Sequence, residues 1–130
     1  MNDTPMNAAD LFSPTYAVAR RKFMAAAGAR GLALDSHVLD LPGGEGETLA
    51  IDVGGEGPAH ASKMLIVLSG VHGVEGFCGS AIQTGMLTAG APAHPDTAVL
   101  YVHAINPYGF SHLGRVAEGS GGLNRNFVDF

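Results

Sequence analysis

The chain has 130 residues, a formal net charge of −5 at pH 7 and a hydrophobic share of 46%. That length accommodates one domain and buries a core. The acidic balance argues against nucleic acid, whose recognition needs a basic face, and the lysines and arginines form no polybasic tract beyond Arg20-Arg21-Lys22. The single cysteine, Cys78, excludes an intrachain disulfide framework.

Residues 1–12 are small and polar and read as a loose arm. Ser13 before Pro14 suits an N-cap with proline in the first turn. Tyr16, Ala19, Phe23 and Ala27 then mark one face of a helix that stops at Gly28 or Gly31. Arg20-Arg21 followed by apolar residues resembles a twin-arginine export signal, but Arg30 and Asp35 interrupt the apolar segment. A helix is therefore expected, with a cytoplasmic location. No apolar run has the length of a membrane span, so no membrane partner is expected.

His37 to Leu41 is a short strand, Pro42 to Gly46 a turn, and Glu47 to Val53 its alternating hairpin partner. Met64 to Leu68 is a continuous apolar run, expected to be a strand buried on both faces. A helix from Glu75 or Phe77 to Leu87 leads to a second buried strand, Ala98 to Val102. This order predicts an α/β fold with a mixed sheet and a right-handed crossover between the two buried strands.

Three segments carry chemistry. The first follows the Met64–Leu68 strand: Ser69-Gly70-Val71-His72-Gly73-Val74-Glu75-Gly76. Ligands gather beyond the carboxyl ends of strands in such sheets, and imidazole and carboxylate three residues apart are zinc donors. Gly70, Gly73 and Gly76 would let the backbone turn and a metal approach. An ordinary loop histidine and a glutamate capping the next helix explain the same spacing. The second is Asn106-Pro107-Tyr108-Gly109-Phe110, whose turn chemistry predicts a pocket wall without chemical contact. The third is Leu123-Asn124-Arg125-Asn126-Phe127, preceded by Arg115. Arginine grips a carboxylate with two parallel hydrogen bonds, and a second cation polarises a carbonyl; turn asparagines around a solvated arginine are the plainer reading. His103, ending a strand, is expected to be a hydrogen-bonded core histidine. Cys78 is expected to pack in the core. Ser69 lacks the frame of a nucleophile elbow.

In this order, His-x-x-Glu, Asn-Pro-x-Gly-Phe and Asn-Arg-Asn-Phe resemble the zinc carboxypeptidase superfamily, the carboxypeptidase A-like metallopeptidases. The likeness is nearest to a bacterial branch described as a domain of unknown function. It runs from about Tyr16 to Phe130 and implies the N-terminal portion of a mixed-sheet α/β/α domain, incomplete over 13–130. It implies a Zn2+ ion held by His72 and Glu75, Arg115 polarising the scissile carbonyl, and Asn124 with Arg125 holding the substrate's terminal carboxylate. The substrate would be a peptide or acyl-amino acid with a free carboxylate. The third zinc ligand, the catalytic glutamate and a capping tyrosine are expected beyond Phe130, so this chain alone is expected to be inactive. Gly122 stands where the family has an aspartate that orients the first zinc histidine, with Glu118 the nearest substitute. N-acyl amino acid deacylases of the aspartoacylase and succinylglutamate desuccinylase kind share a similar His-Gly-x-Glu segment. A truncated or non-catalytic binding module is the reading outside enzymology.

Overall fold

The computed structural model describes residues 6–90 and 94–115. The elements run α1 (Ala8–Leu11), α2 (Tyr16–Ala29), β1 (Asp35–Pro42), β2 (Thr48–Glu56), β3 (Lys63–Leu68), α3 (Gly76–Ala89), β4 (Thr97–His103) and α4 (Pro107–Ser111). Four strands form one mixed sheet in the order β1-β2-β4-β3. β1 and β2 are the expected hairpin, β2 pairs antiparallel with β4, and β3 pairs parallel with β4 through the α3 crossover.

The arm expected to be loose contains a helical turn, α1, whose Leu11 packs so close to α3 that a Cβ on Gly85 would stand 3.0 Å from Leu11 Cδ1. Helix α2 buries Tyr16, Ala19, Phe23 and Ala27, the stripe its periodicity predicts. Its N-cap is Thr15 and not Ser13: Thr15 Oγ1 accepts the Val18 N–H at 3.2 Å. At the other end Gly31 takes a φ of 76°, Gly31 N–H donates to Gly28 O and Leu32 N–H donates to Ala27 O. These bonds satisfy the last carbonyls and release the chain towards β1.

Two buried clusters fill the space between α2, α3 and the sheet. One joins Tyr16, Ala19, Leu49, Ala104 and Phe110; the other joins Phe23, Ala27, Leu87 and Tyr101. The Tyr16 hydroxyl donates to Ala50 O and accepts from Ala50 N, each at 2.9 Å. It thereby occupies both backbone groups of Ala50 where the β1–β2 register becomes irregular, between Val38 and Pro42. Burial pushes its phenol up to about 12.

β3 departs from expectation. Met64, Leu65, Ile66 and Leu68 are each at least half exposed, so the strand is not covered on both faces. Among the described residues it pairs only with β4 and forms an edge. An apolar run reports that a strand prefers cover, not which element supplies it. No helix among the described residues is long and apolar enough to cross a membrane.

Candidate metal site

The ends of β3 and β4 build the rim. Parallel pairing continues past both strands: Ser69 N–H donates to Val102 O at 3.1 Å, Ile105 N–H to Ser69 O at 2.9 Å and Asn106 N–H to Gly70 O at 3.0 Å. Between these bonds Ala104 adopts the left-handed region, φ 58°. Its N–H is taken by Ser69 Oγ at 2.9 Å, a buried bond that replaces the missing ladder partner. Ser69 is thus a structural hydroxyl and no nucleophile.

The chain then enters α4. Asn106 Oδ1 caps it by accepting the Gly109 N–H at 2.9 Å, with Pro107 in the first turn. Asn106 Nδ2 reaches back to Val71 O at 3.4 Å. A Cβ on Gly73 would lie 2.0 Å from Gly109 C, and one on Gly76 2.3 Å from the Phe110 ring. Phe110 is fully buried and packs edge-on against Tyr16 and Phe77. The role expected of Gly73 and Gly76 changes accordingly. They permit close packing of the loop on α4 and not the approach of a metal; only Gly70, φ 69°, serves a turn. The Asn106–Phe110 segment is a buttress beneath the loop, in line with its structural reading.

On that buttress His72 and Glu75 face each other. His72 Nδ1 and Glu75 Oε2 are 2.7 Å apart, with the histidine side chain 25% exposed and the glutamate 73%. Glu75 occupies the N-cap position of α3, yet its carboxylate makes no capping hydrogen bond. The carboxylate is therefore committed to His72. Zinc takes nitrogen and oxygen donors at about 2.0–2.2 Å, so a pair already in contact needs only a small rotation of an exposed side chain to admit the ion. The two residues fit the first half of a zinc site. No group of three or more histidine, cysteine, aspartate or glutamate residues that would hold a metal occurs among the described residues.

Arg115 is exposed, one residue after Gly114, whose N–H donates at 2.7 Å to the same Gly109 carbonyl that crowds Gly73. Asn124, Arg125, Gly122 and Glu118 lie outside the described residues. Cys78 is exposed on α3 and not packed in the core, because it sits on the helix face away from α2 and the sheet.

His103 is a core histidine, fully buried, stacked on Phe23 at 4.5 Å and bonded through Nε2 to Ser80 Oγ at 2.8 Å. Burial is the main force that lowers its pKa to about 4; the Asp52 charge opposes and the Arg20 charge adds to it. Asp52, opposite His103 across the β2–β4 ladder, belongs to a cluster the sequence reading missed. Arg20 donates to it twice, at 2.8 and 3.1 Å, and Ser36 Oγ once at 2.6 Å. Burial pushes this carboxyl up, but the bonds and the Arg20 charge outweigh it and hold it below the ordinary aspartate value. A signal existed: an aspartate at an inward-facing strand position, and an arginine one turn after Tyr16. A second missed tie links the hairpin turn to α4. Ser111 Oγ bonds the Glu47 carboxylate and accepts the Gly44 N–H at 2.8 Å.

Parts of solved structures align with this chain. The glutaminyl cyclase of Fimbriiglobus ruber aligns at 12% identity and a TM-score of 0.47, over 73% of this chain and 40% of that one. Two structures of the Porphyromonas gingivalis glutaminyl cyclase align at 16% and 13% identity with TM-scores of 0.43 and 0.42, over 77% and 76% of this chain and 48% and 50% of theirs. The chain therefore spans half or less of each of these proteins. No curated protein matches it. A family model matches residues 12–130, nearly the whole chain, and by that match the protein belongs to the family described as "Protein of unknown function (DUF2817)".

Proposed function

We propose that the chain carries part of the active site of a zinc-dependent hydrolase of carboxypeptidase type, which cleaves an amide beside a free carboxylate. The observation that supports this most is the His72–Glu75 pair. Its two donors touch at 2.7 Å, and the glutamate is released from the capping role that would otherwise explain it. Bound zinc supplies a water acidified towards neutrality and polarises the scissile carbonyl.

The protein's residues supply the rest. His72 Nδ1 and Glu75 Oε2 would hold the ion in place of the proton they share at 2.7 Å, leaving Nε2 for an outer hydrogen-bond partner. Glu75 contributes a negative oxygen. Arg115 is assigned to the developing oxyanion, and Asn124 with Arg125 to the terminal carboxylate by bidentate bonding. A third donor and a general base remain to be supplied from outside this set.

Calorimetric zinc titration tests the metal half, with His72→Ala and Glu75→Ala as controls. Weak uptake is expected in the native chain and none in either variant; equal uptake by all three removes zinc from the reading.

A further inference from the structure

The loop bearing the two donors is pinned at both ends by one short helix. At its start Asn106 holds two successive carbonyls, Gly70 O through its backbone N–H and Val71 O through its side-chain amide. At its end Gly73 and Gly76 press on Gly109 and Phe110. Between these anchors His72, Val74 and Glu75 project outward, Val74 being half exposed. Asn106 itself is only 2% exposed, so little water competes for its bonds. The left-handed Ala104, two residues earlier, delivers it there; such a conformation persists in a non-glycine residue only where its surroundings enforce it.

We propose that Asn106 is a positioning residue for His72 and Glu75, fixing through its side-chain amide the loop that presents both donors. Capping alone does not require asparagine. Aspartate or serine would offer Gly109 the same acceptor. What asparagine adds is a donor aimed at the carbonyl immediately before His72. Aspartate would set one oxygen against another at that point. The part of the proposal that concerns metal affinity rests on the zinc reading above; the part that concerns the loop does not.

The test is Asn106→Asp in the full chain, read by two measurements. Amide hydrogen exchange without metal is expected to quicken about tenfold at Gly76, whose N–H donates to Gly73 O, and at residue 106, whose N–H donates to Gly70 O, while Gly109 and Phe110 in the capped α4 keep their protection. Zinc affinity is expected to fall about tenfold or more. Unchanged loop exchange overturns the proposal. So does loosening spread equally over α4, which would make Asn106 a cap and nothing else. Faster loop exchange with unchanged zinc affinity also overturns it. If the native chain takes up no zinc, the metal reading fails and exchange alone decides the loop's case. Should the aspartate variant not fold, Asn106→Ser keeps a capping oxygen, lacks the amide donor and serves the same comparison.

Discussion

Two histidines lie at the carboxyl ends of neighbouring strands and differ in almost every physical respect. His103, ending β4, is sealed between Phe23, Ser80 and the Asp52 cluster. His72, beyond β3, stands partly in solvent and touches Glu75 alone among the hydrogen bonds of its side chain in the described residues. Both are near a carboxylate, so residue type does not separate them. Each makes one side-chain hydrogen bond among the described residues, so exposure is what separates them. His103, with Nε2 bonded to Ser80 and Nδ1 enclosed without a partner among the described residues, reaches no ligand unless the core opens. A carboxylate that leaves a helix terminus uncapped to sit beside a partly exposed imidazole keeps its capacity for a ligand.

The largest effect should come from breaking the interior. Asp52→Ala strips Arg20 of its partner and leaves Ser36 without an acceptor. Removing one member of a buried pair costs about 3–5 kcal/mol, and the partial exposure of Arg20 favours the lower end. Urea unfolding would measure it. His72→Ala, by contrast, should stay within about 0.5 kcal/mol of the native protein. An equal loss in both would erase the contrast and make the rim structural.

Acid should divide the two sites next. Unfolded, His103 takes a proton near 6.5; folded, burial lowers that to about 4. The unfolded chain thus binds more protons between these values. His103 contributes its full stability above pH 6.5, and that contribution drains away as pH falls towards 4. The span corresponds to at most ~3 kcal/mol. His103→Gln should flatten the stability profile between pH 4 and 6.5, whereas His72→Ala should leave it in place. A profile that persists in His103→Gln would show that another group governs it.

What the sequence disclosed and what it withheld divide along the same line. The Tyr16-Ala19-Phe23-Ala27 stripe and the hairpin were legible because periodicity is local. The Arg20–Asp52 pair spans 32 positions, and no spacing rule joins a helix arginine to a strand aspartate. The exposure of β3 was hidden for a related reason: a run of apolar residues records a preference for cover, while cover is supplied by other parts of a fold. At the rim, three-residue spacing placed His72 and Glu75 in one loop. It did not reveal that Gly73 and Gly76 serve Gly109 and Phe110, since that contact is made by a segment more than thirty residues away.

Tyr16→Phe probes the junction between interior and rim at smaller scale. The hydroxyl serves both backbone groups of Ala50, and its loss leaves a buried N–H and C=O without that partner. A cost of about 1–3 kcal/mol is expected, by thermal unfolding. A neutral result would mean that the irregular stretch of β1 closes onto Ala50 when the hydroxyl is gone.

The smallest effect on stability should also discriminate best. Glu75→Gln keeps the shape of the side chain and its hydrogen bond to His72 but removes the charge. If the glutamate serves the positive end of α3, the variant should lose about 0.3–1 kcal/mol, in a salt-dependent way, and zinc uptake should be unaffected. If it is a metal donor, zinc uptake should collapse while stability barely moves, because the neutral amide is the poorer ligand for the ion. The geometry favours the second outcome: the carboxylate stands 2.7 Å from an imidazole and caps nothing. The same side chain cannot give its strongest bond to both, and thermal unfolding set beside a zinc titration reads which of the two it serves.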